Sequence, residues 1–288
     1  MNIEDKVKIH QKLGEGTFGV TYLVEDRYDR LLAMKTIDIK KSTDYGFNED
    51  AIMNEIYTLL SLSSDPNCFP TIVCYFGYYR GNFHGRDTLA ILSYYVEGPT
   101  LHDYLENLKK INRLPRPSTL AYYMRQLLEA VDRVHEKGYA HRDIKPGNIV
   151  YDKENDVMVL IDFGISCMEP CRGKPGTPRY MPPESFNPSY SSTHSLALAQ
   201  AHDIWSLGLV FYELANLRLP FNDPINDPAD AIKLSYINTS PVDESIPVND
   251  KINSMINSML NKDWKSRPSA VKLLAYIKNI NNPSVGYF

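Results

Sequence analysis

The chain of 288 residues is short of several things, and each shortage excludes a class of protein. It lacks a basic excess, with 31 Lys and Arg against 35 Asp and Glu, which argues against a nucleic-acid binder. No apolar run approaches the ~18 residues that a membrane span requires; Val157 to Ile161 is a representative short run. Cysteine is scarce. Cys68, Cys74, Cys167 and Cys171 form no CxxC pair and no dense framework, so a reducing compartment and unpaired thiols are expected, with a redox switch at Cys167 and Cys171 as the lesser alternative. There is no repeat of fixed period and no low-complexity tract. The segment Met1 to Lys6 has early acids and no apolar core, Asn2 excludes N-myristoylation, and Val285 to Phe288 is no prenylation box. The expectation is an intracellular protein, cytoplasmic or nuclear, without leader or lipid anchor.

Hydrophobic residues at 43% supply a sizeable core, and 23% charged residues are ordinary for a globular chain. The first third reads as strands: Val7 to Leu13, Val20 to Glu25, Leu31 to Ile39, Ile72 to Tyr79 and Thr88 to Val96, with turn-rich Arg80 to Gly85 before the last. One helix interrupts them over Ala51 to Leu62, where Ile52, Ile56, Leu59 and Leu60 recur at helical spacing. After Gly98-Pro99 the period turns helical. Leu120, Met124, Leu127, Leu128, Val131 and Val134 form one stripe over Ser118 to Lys137, with Gly138 as C-cap. Two short strands, Asn148 to Tyr151 and Val157 to Ile161, precede Pro-rich irregular chain to about residue 200, and helices fill the remainder. The pattern predicts an α+β fold with two lobes, residues 1–93 and 100–288, joined by a hinge at 94–99.

Gly14-Glu15-Gly16-Thr17-Phe18-Gly19 fits G-x-G-x-x-G, but the β-branched run after Gly19 is a strand, where a dinucleotide site requires a helix. The glycines therefore sit at a hairpin tip, which alone serves equally as a plain turn or as a phosphate cover. Lys35 in the third strand reads either as a solvent-facing residue or as a phosphate ligand anchored by Glu55. His141-Arg142-Asp143-Ile144-Lys145-Pro146-Gly147-Asn148 is more specific than a charged surface loop requires. Asp143 can accept a hydroxyl proton, Lys145 can neutralise phosphate, and Asn148 can offer an amide oxygen to a metal. Asp162-Phe163-Gly164 follows a buried-looking strand, so Asp162 with Asn148 makes a hard oxygen site suited to Mg²⁺.

In this order the segments resemble the eukaryotic protein-kinase catalytic domain, over roughly residues 7 to 280. Gly176 to Glu184 resembles the end of an activation segment, with Pro182 where Ala is usual. Asp203 to Gly208 resembles the large buried C-lobe helix, and Arg267 the partner of Glu184. The resemblance implies a five-stranded antiparallel N-lobe sheet with one main helix, a mostly helical C-lobe, and the cofactors ATP and Mg²⁺. It assigns Leu13, Gly14, Gly16 and Gly19 to nucleotide cover and Lys35 to the phosphates, aimed by Glu55. Val20, Ala33 and Val150 would sandwich adenine beside the backbone from Tyr94 to Val96, and Leu59, Tyr75, His141 and Phe163 would stack in an apolar column. Asn148 and Asp162 would hold the metal, Asp143 would act as base, and Thr177 would bridge Asp143 and Lys145.

Lys145, two residues after Asp143, follows the serine/threonine pattern, so protein Ser/Thr hydroxyls are the expected acceptors. Gly147 and Thr100 stand where acids select upstream Arg, so no strong demand for a basic residue three places upstream is expected. The stretch Cys167 to Pro175 has no Ser, Thr or Tyr. Activation without loop phosphorylation is therefore expected, with Glu169 partnering Arg142. Ser93, at the position gating the space behind adenine, implies tolerance of bulky analogues. An activator at the Glu55 helix stays open, and a monomer is the default. A pseudokinase scaffold is the competing reading, but Lys35, Asp143 and Asp162 are all present. Gly176 to Glu184, a platform for a peptide acceptor, speaks against a small-molecule kinase.

Overall fold

A computed structural model describes residues 1–16, 19–46, 49–63, 68–173, 175–186, 192–220 and 250–280. Thr17 and Phe18 of the glycine motif and Lys174 lie outside the described residues, as does much of the predicted C-terminal helical region. The chain forms two compact units, Met1–Glu97 and Gly98–Phe288.

The first unit is built on five antiparallel strands, β1 (Val7–Glu15), β2 (Gly19–Asp26), β3 (Leu31–Asp38), β4 (Tyr75–Phe83) and β5 (Arg86–Tyr94), ordered β1-β2-β3-β5-β4. Strand alternation puts Val24, Leu32, Met34, Ala90 and Leu92 into one core with Val7, Phe83 and the N-terminal Ile3. The Met1 carbonyl accepts from the Asn82 amide at 2.8 Å and the Ile3 amide donates back to the Asn82 carbonyl at 2.9 Å, so the N-terminal segment is bound to β4.

Local chemistry moves some predicted boundaries. The stretch Arg80 to Gly85, expected as a turn, is mostly strand. The chain reverses only at His84-Gly85, with φ of 49° and 78°, the positive pair that a tight hairpin needs. A short helix, α1 (Ile39–Asp44), precedes the expected one, α2 (Glu49–Leu62), so the unit has two. Asp38 stops β3 and caps α1, its carboxylate accepting from the Lys41 amide at 2.9 Å. On α2, Ile52, Ile56 and Leu59 are buried as the stripe predicts, but Leu60 faces solvent.

The second unit is mainly helical: α3 (Leu101–Lys110), α4 (Pro117–Glu136), α5 (Leu196–Asn216), α6 (Asp250–Met259) and α7 (Ala270–Ile280). Seven helices and nine strands stand among the described residues, an α+β arrangement. Thr100 and Asp103 form a reciprocal capping box that starts α3. The six stripe residues of α4 are all buried, and Gly138 follows at φ 79°. Strands β6 (Ile149–Asp152) and β7 (Val157–Leu160) pair antiparallel, as do the two-residue strands β8 (Cys171–Arg172) and β9 (Thr193–His194). Helix α5 starts at Leu196, where Ser195 caps it, and is buried nearly all round, as expected of a helix apolar on every side.

The expectation of unpaired thiols is overturned. Cys68–Cys74 and Cys167–Cys171 are disulfides, with Cα separations of 5.5 and 5.4 Å. The lack of a CxxC pair or dense framework points to free thiols, but the chain folds back between each pair, 6 and 4 residues apart, and brings the Cα atoms within bridging range.

Candidate active site

Each unit carries its own set of the predicted residues. In the first, Lys35 points from β3 to Glu55 on α2, with Nζ 2.7 Å from Oε2. Glu55 is buried, and a buried carboxylate is held best by such a charged partner. The hairpin tip between β1 and β2 is closed by the Gly16 amide donating to the Gly19 carbonyl at 2.9 Å. A Cβ at Gly14 would meet nothing within 4 Å, and one at Gly16 would only graze the Gly19 carbonyl. The backbone there is open to a ligand. Gly19 differs: a Cβ would fall 1.5 Å from the Thr36 carbonyl oxygen, so close strand approach demands that glycine.

Val20 and Ala33 stand on β2 and β3, half-buried, and Leu13 is exposed on β1. The Tyr94 amide donates to the Cys74 carbonyl and the Tyr95 amide to the Leu31 carbonyl, which fixes this stretch of backbone. The backbone amide and carbonyl of Val96 hydrogen-bond to no described residue and can serve a ligand edge. Ser93 pairs in register with Ala33 on one side and Tyr75 on the other.

In the second unit four donors converge on the Asp143 carboxylate. Oδ1 accepts from the Thr177 amide at 2.9 Å and the Thr177 hydroxyl at 2.7 Å. Oδ2 accepts from Lys145 Nζ at 2.7 Å and Asn148 Nδ2 at 2.9 Å. Lys145 Nζ also donates to Thr177 Oγ1 at 2.7 Å, so the threonine hydroxyl bridges the acid and the cation. Asn148 Nδ2 reaches the Asp143 carbonyl as well, at 2.9 Å, which leaves its amide oxygen as the group to offer a cation.

The Ile161 amide donates to the Asn148 carbonyl at 2.9 Å, which brings Asp162 to the next residue after that contact. Asp162 has φ 63°, and its Oδ1 takes a long hydrogen bond from the Gly164 amide at 3.4 Å. An amide oxygen and a carboxylate held this way fit Mg²⁺. Val150 is buried on β6, and the rings of His141 and Phe163 meet edge-on at 4.8 Å.

The loop His141 to Asn148 hangs on a residue that the sequence motifs place in a helix without assigning it a role. Asp203, fully buried on α5, accepts from the backbone amides of His141 at 2.8 Å and Arg142 at 2.7 Å, and pairs with His135 Nε2 at 2.9 Å. Burial alone would raise its pKa. The His135 hydrogen bond and the charges of His135, His141 and His202 hold it below the ordinary carboxylate value. Arg142 accordingly sits at φ 66°, a strained backbone that Asp203 stabilises. An aspartate embedded among Ile204, Trp205 and Leu207 was the available signal, because charges are seldom buried without partners.

One expectation fails here. Arg142 donates Nε to the Ile165 carbonyl and Nη1 to the Arg172 carbonyl, each at 2.7 Å, and Glu169 stays exposed with no part in it. Backbone carbonyls on both sides of the 167–171 loop take up the guanidinium instead. Glu184 and Arg267 form the anticipated pair as a two-pronged contact, at 2.7 and 2.8 Å, with the guanidinium stacked over Trp205 at 4.9 Å.

A protein kinase domain model matches residues 7–277. The chain is 31% identical over 277 residues to the serine/threonine-protein kinase Nek8 of Danio rerio, covering 94% of this chain and 36% of that protein. It is 30% identical to Nek11 of Homo sapiens, covering 92% of this chain and 39% of that protein. Identity to nekl-2 of Caenorhabditis elegans is 28%, over 96% of this chain and 74% of that protein. The chain thus spans under two fifths of the length of Nek8 and Nek11. It belongs to the protein kinase family, as a eukaryotic-type serine/threonine kinase domain similar to the Nek kinases.

Proposed function

We propose that this protein transfers the γ-phosphoryl group of MgATP to Ser and Thr hydroxyls of proteins, and does so without activation-loop phosphorylation. The observation carrying this reading is the set of four donors on Asp143, which fixes a carboxylate where an acceptor hydroxyl can give up its proton. Thr177 and Asn148 are short and packed. Lys145 stands on a flexible stem, so it is the donor that yields Oδ2 to an incoming hydroxyl while Thr177 holds Oδ1. Bound MgATP supplies the electrophile and its charge neutralisation; Lys35, Asn148 and Asp162 are the residues that would hold it.

The Lys35–Glu55 pair already closed supports activity without a partner at α2. Arg142, bonded to the carbonyls of Ile165 and Arg172, supports independence from a loop phosphate. Gly147 is exposed and Thr100 caps α3, so neither offers a carboxylate to an upstream Arg. No helix among the described residues is long and apolar enough to cross a membrane. A monomer inside the cell, with protein substrates and no nucleic-acid partner, completes the proposal.

The test is MgATP-dependent phosphate transfer to a protein mixture, wild type against Asp143→Asn. Phosphoserine and phosphothreonine from the wild type alone, with turnover of ~1–100 s⁻¹ on a good substrate, are expected. Wild-type protein that binds ATP and transfers nothing would favour the scaffold reading. An obligatory phosphate on residues 165–180 in the mass spectrum of active protein would end the second half of the proposal.

A further inference from the structure

The disulfide Cys167–Cys171 lies between the Asp162-Phe163-Gly164 turn and the Thr177 that bonds Asp143, and both of its ends are tied into the second unit. Cys167 exchanges two backbone hydrogen bonds with Ala140, each 2.9 Å, one residue before His141-Arg142-Asp143. Cys171 pairs with His194 in the short sheet just ahead of α5. Both cysteines pack with Ala140, Ala199 and Leu196 in a small apolar cluster. Arg142 spans the same loop, bonding the carbonyl of Ile165 before it and that of Arg172 after it. The disulfide loop is thus clipped to the segment that carries Asp143 through the backbone of Ala140 and the side chain of Arg142. The described residues between Cys167 and Pro175 offer no hydroxyl that could be phosphorylated to make an equivalent clip.

We propose that Cys167–Cys171 is a reversible thiol–disulfide site that sets kinase turnover, the oxidised pair holding the segment against the catalytic loop and the reduced pair releasing it. The proposal rests on the kinase reading above. The co-reactant is a dithiol, such as a reductant of the thioredoxin type. Its thiolate attacks one sulfur to form a mixed disulfide, and the other sulfur leaves as a thiolate and is protonated. The second thiol of the reductant then displaces the attacked cysteine, so two electrons and two protons pass to the pair and the reductant becomes a disulfide. Attack falls on Cys167, because Cys171 is fully enclosed and Cys167 retains 7% exposure. Glutathione disulfide drives the reverse exchange. Such exchange runs wherever a dithiol reductant and glutathione disulfide are both present, so the state of the pair follows their ratio.

The experiment compares full-length protein equilibrated with glutathione disulfide or with dithiothreitol, reading thiol alkylation by mass spectrometry, phosphate transfer, and hydrogen exchange of residues 165–173. Reduction is expected to slow turnover by between about 5- and 150-fold, the span of ordinary coupling, and to speed exchange in that segment. The Cys68→Ser/Cys74→Ser variant is expected to respond like the wild type. Cys167→Ser/Cys171→Ser should be fixed at the reduced level and indifferent to dithiothreitol. Free thiols at both positions after glutathione disulfide, equal turnover in the two states, or a response that vanishes with Cys68→Ser/Cys74→Ser would each overturn the proposal. Exchange that responds to reduction in a protein transferring no phosphate would keep the clip and overturn the kinase reading instead.

Discussion

Gly16 and Gly19 belong to one motif and are glycine for different reasons. A side chain at Gly19 collides with the Thr36 carbonyl, whereas Gly16 faces open space. Gly19→Ala is therefore expected to cost about 1–3 kcal/mol of stability, as overpacking does. Gly16→Ala should leave the melting temperature unchanged and raise the KM for ATP. Equal thermal shifts for the two variants would contradict this division. The motif alone left a plain turn and a phosphate cover equally open, because spacing does not say which atoms approach each glycine. Asp143, Lys145 and Asn148, by contrast, were legible as candidate chemistry within eight residues, since few loops concentrate an acid, a cation and an amide in that order.

Among the elements, register decides what a residue can do. Strand β5 sets Ser93 opposite Ala33, so two small residues face one another across β3 and β5. A purine inhibitor with a bulky substituent should bind the wild type and lose affinity in Ser93→Met; equal dissociation constants by calorimetry would refute it. The Glu184–Arg267 contact joins the end of the activation segment to the loop before α7. Arg267→Met leaves a largely buried carboxylate without its partner and is expected to cost about 3–5 kcal/mol, read from urea denaturation. Helix α1 escaped the sequence reading because six residues are too few to display a period, and only the Asp38 cap marks the start. Leu60 was misjudged for a related reason. Its spacing admits it to the apolar stripe, yet its position on the helix turns it to solvent.

For the molecule as a whole, buried ionisable groups set the acid limit of stability. His202 lies within α5 beside Asp203 and near Glu184, Arg267 and Arg142. Burial outweighs the two carboxylates and lowers its pKa from 6.5 to about 4. Between those values the unfolded chain binds the proton more readily than the folded one, so stability rises with pH across this window and is complete above it. The contribution is on the order of 3 kcal/mol, lost as pH falls from about 6.5 to about 4. Asp203, also held down, adds its own loss only below its ordinary value of 3.8. Urea melts of wild type and His202→Asn across that window test the assignment: the wild type should show the slope and the variant should not.

The sequence by itself determined the α+β pattern, the kinase class and the candidate reacting side chains, because periodicity and motif chemistry are local properties of the chain. Tertiary structure alone decided which partners those side chains keep. It placed Asp203 beneath the catalytic loop, 61 and 62 residues from the amides it holds, and it directed Arg142 to backbone carbonyls and left Glu169 exposed. It also joined cysteines that composition had left apart, and it gave Gly19 a steric duty to Thr36. Contacts of this kind depend on which surfaces fold together, and a single chain read in order does not record that.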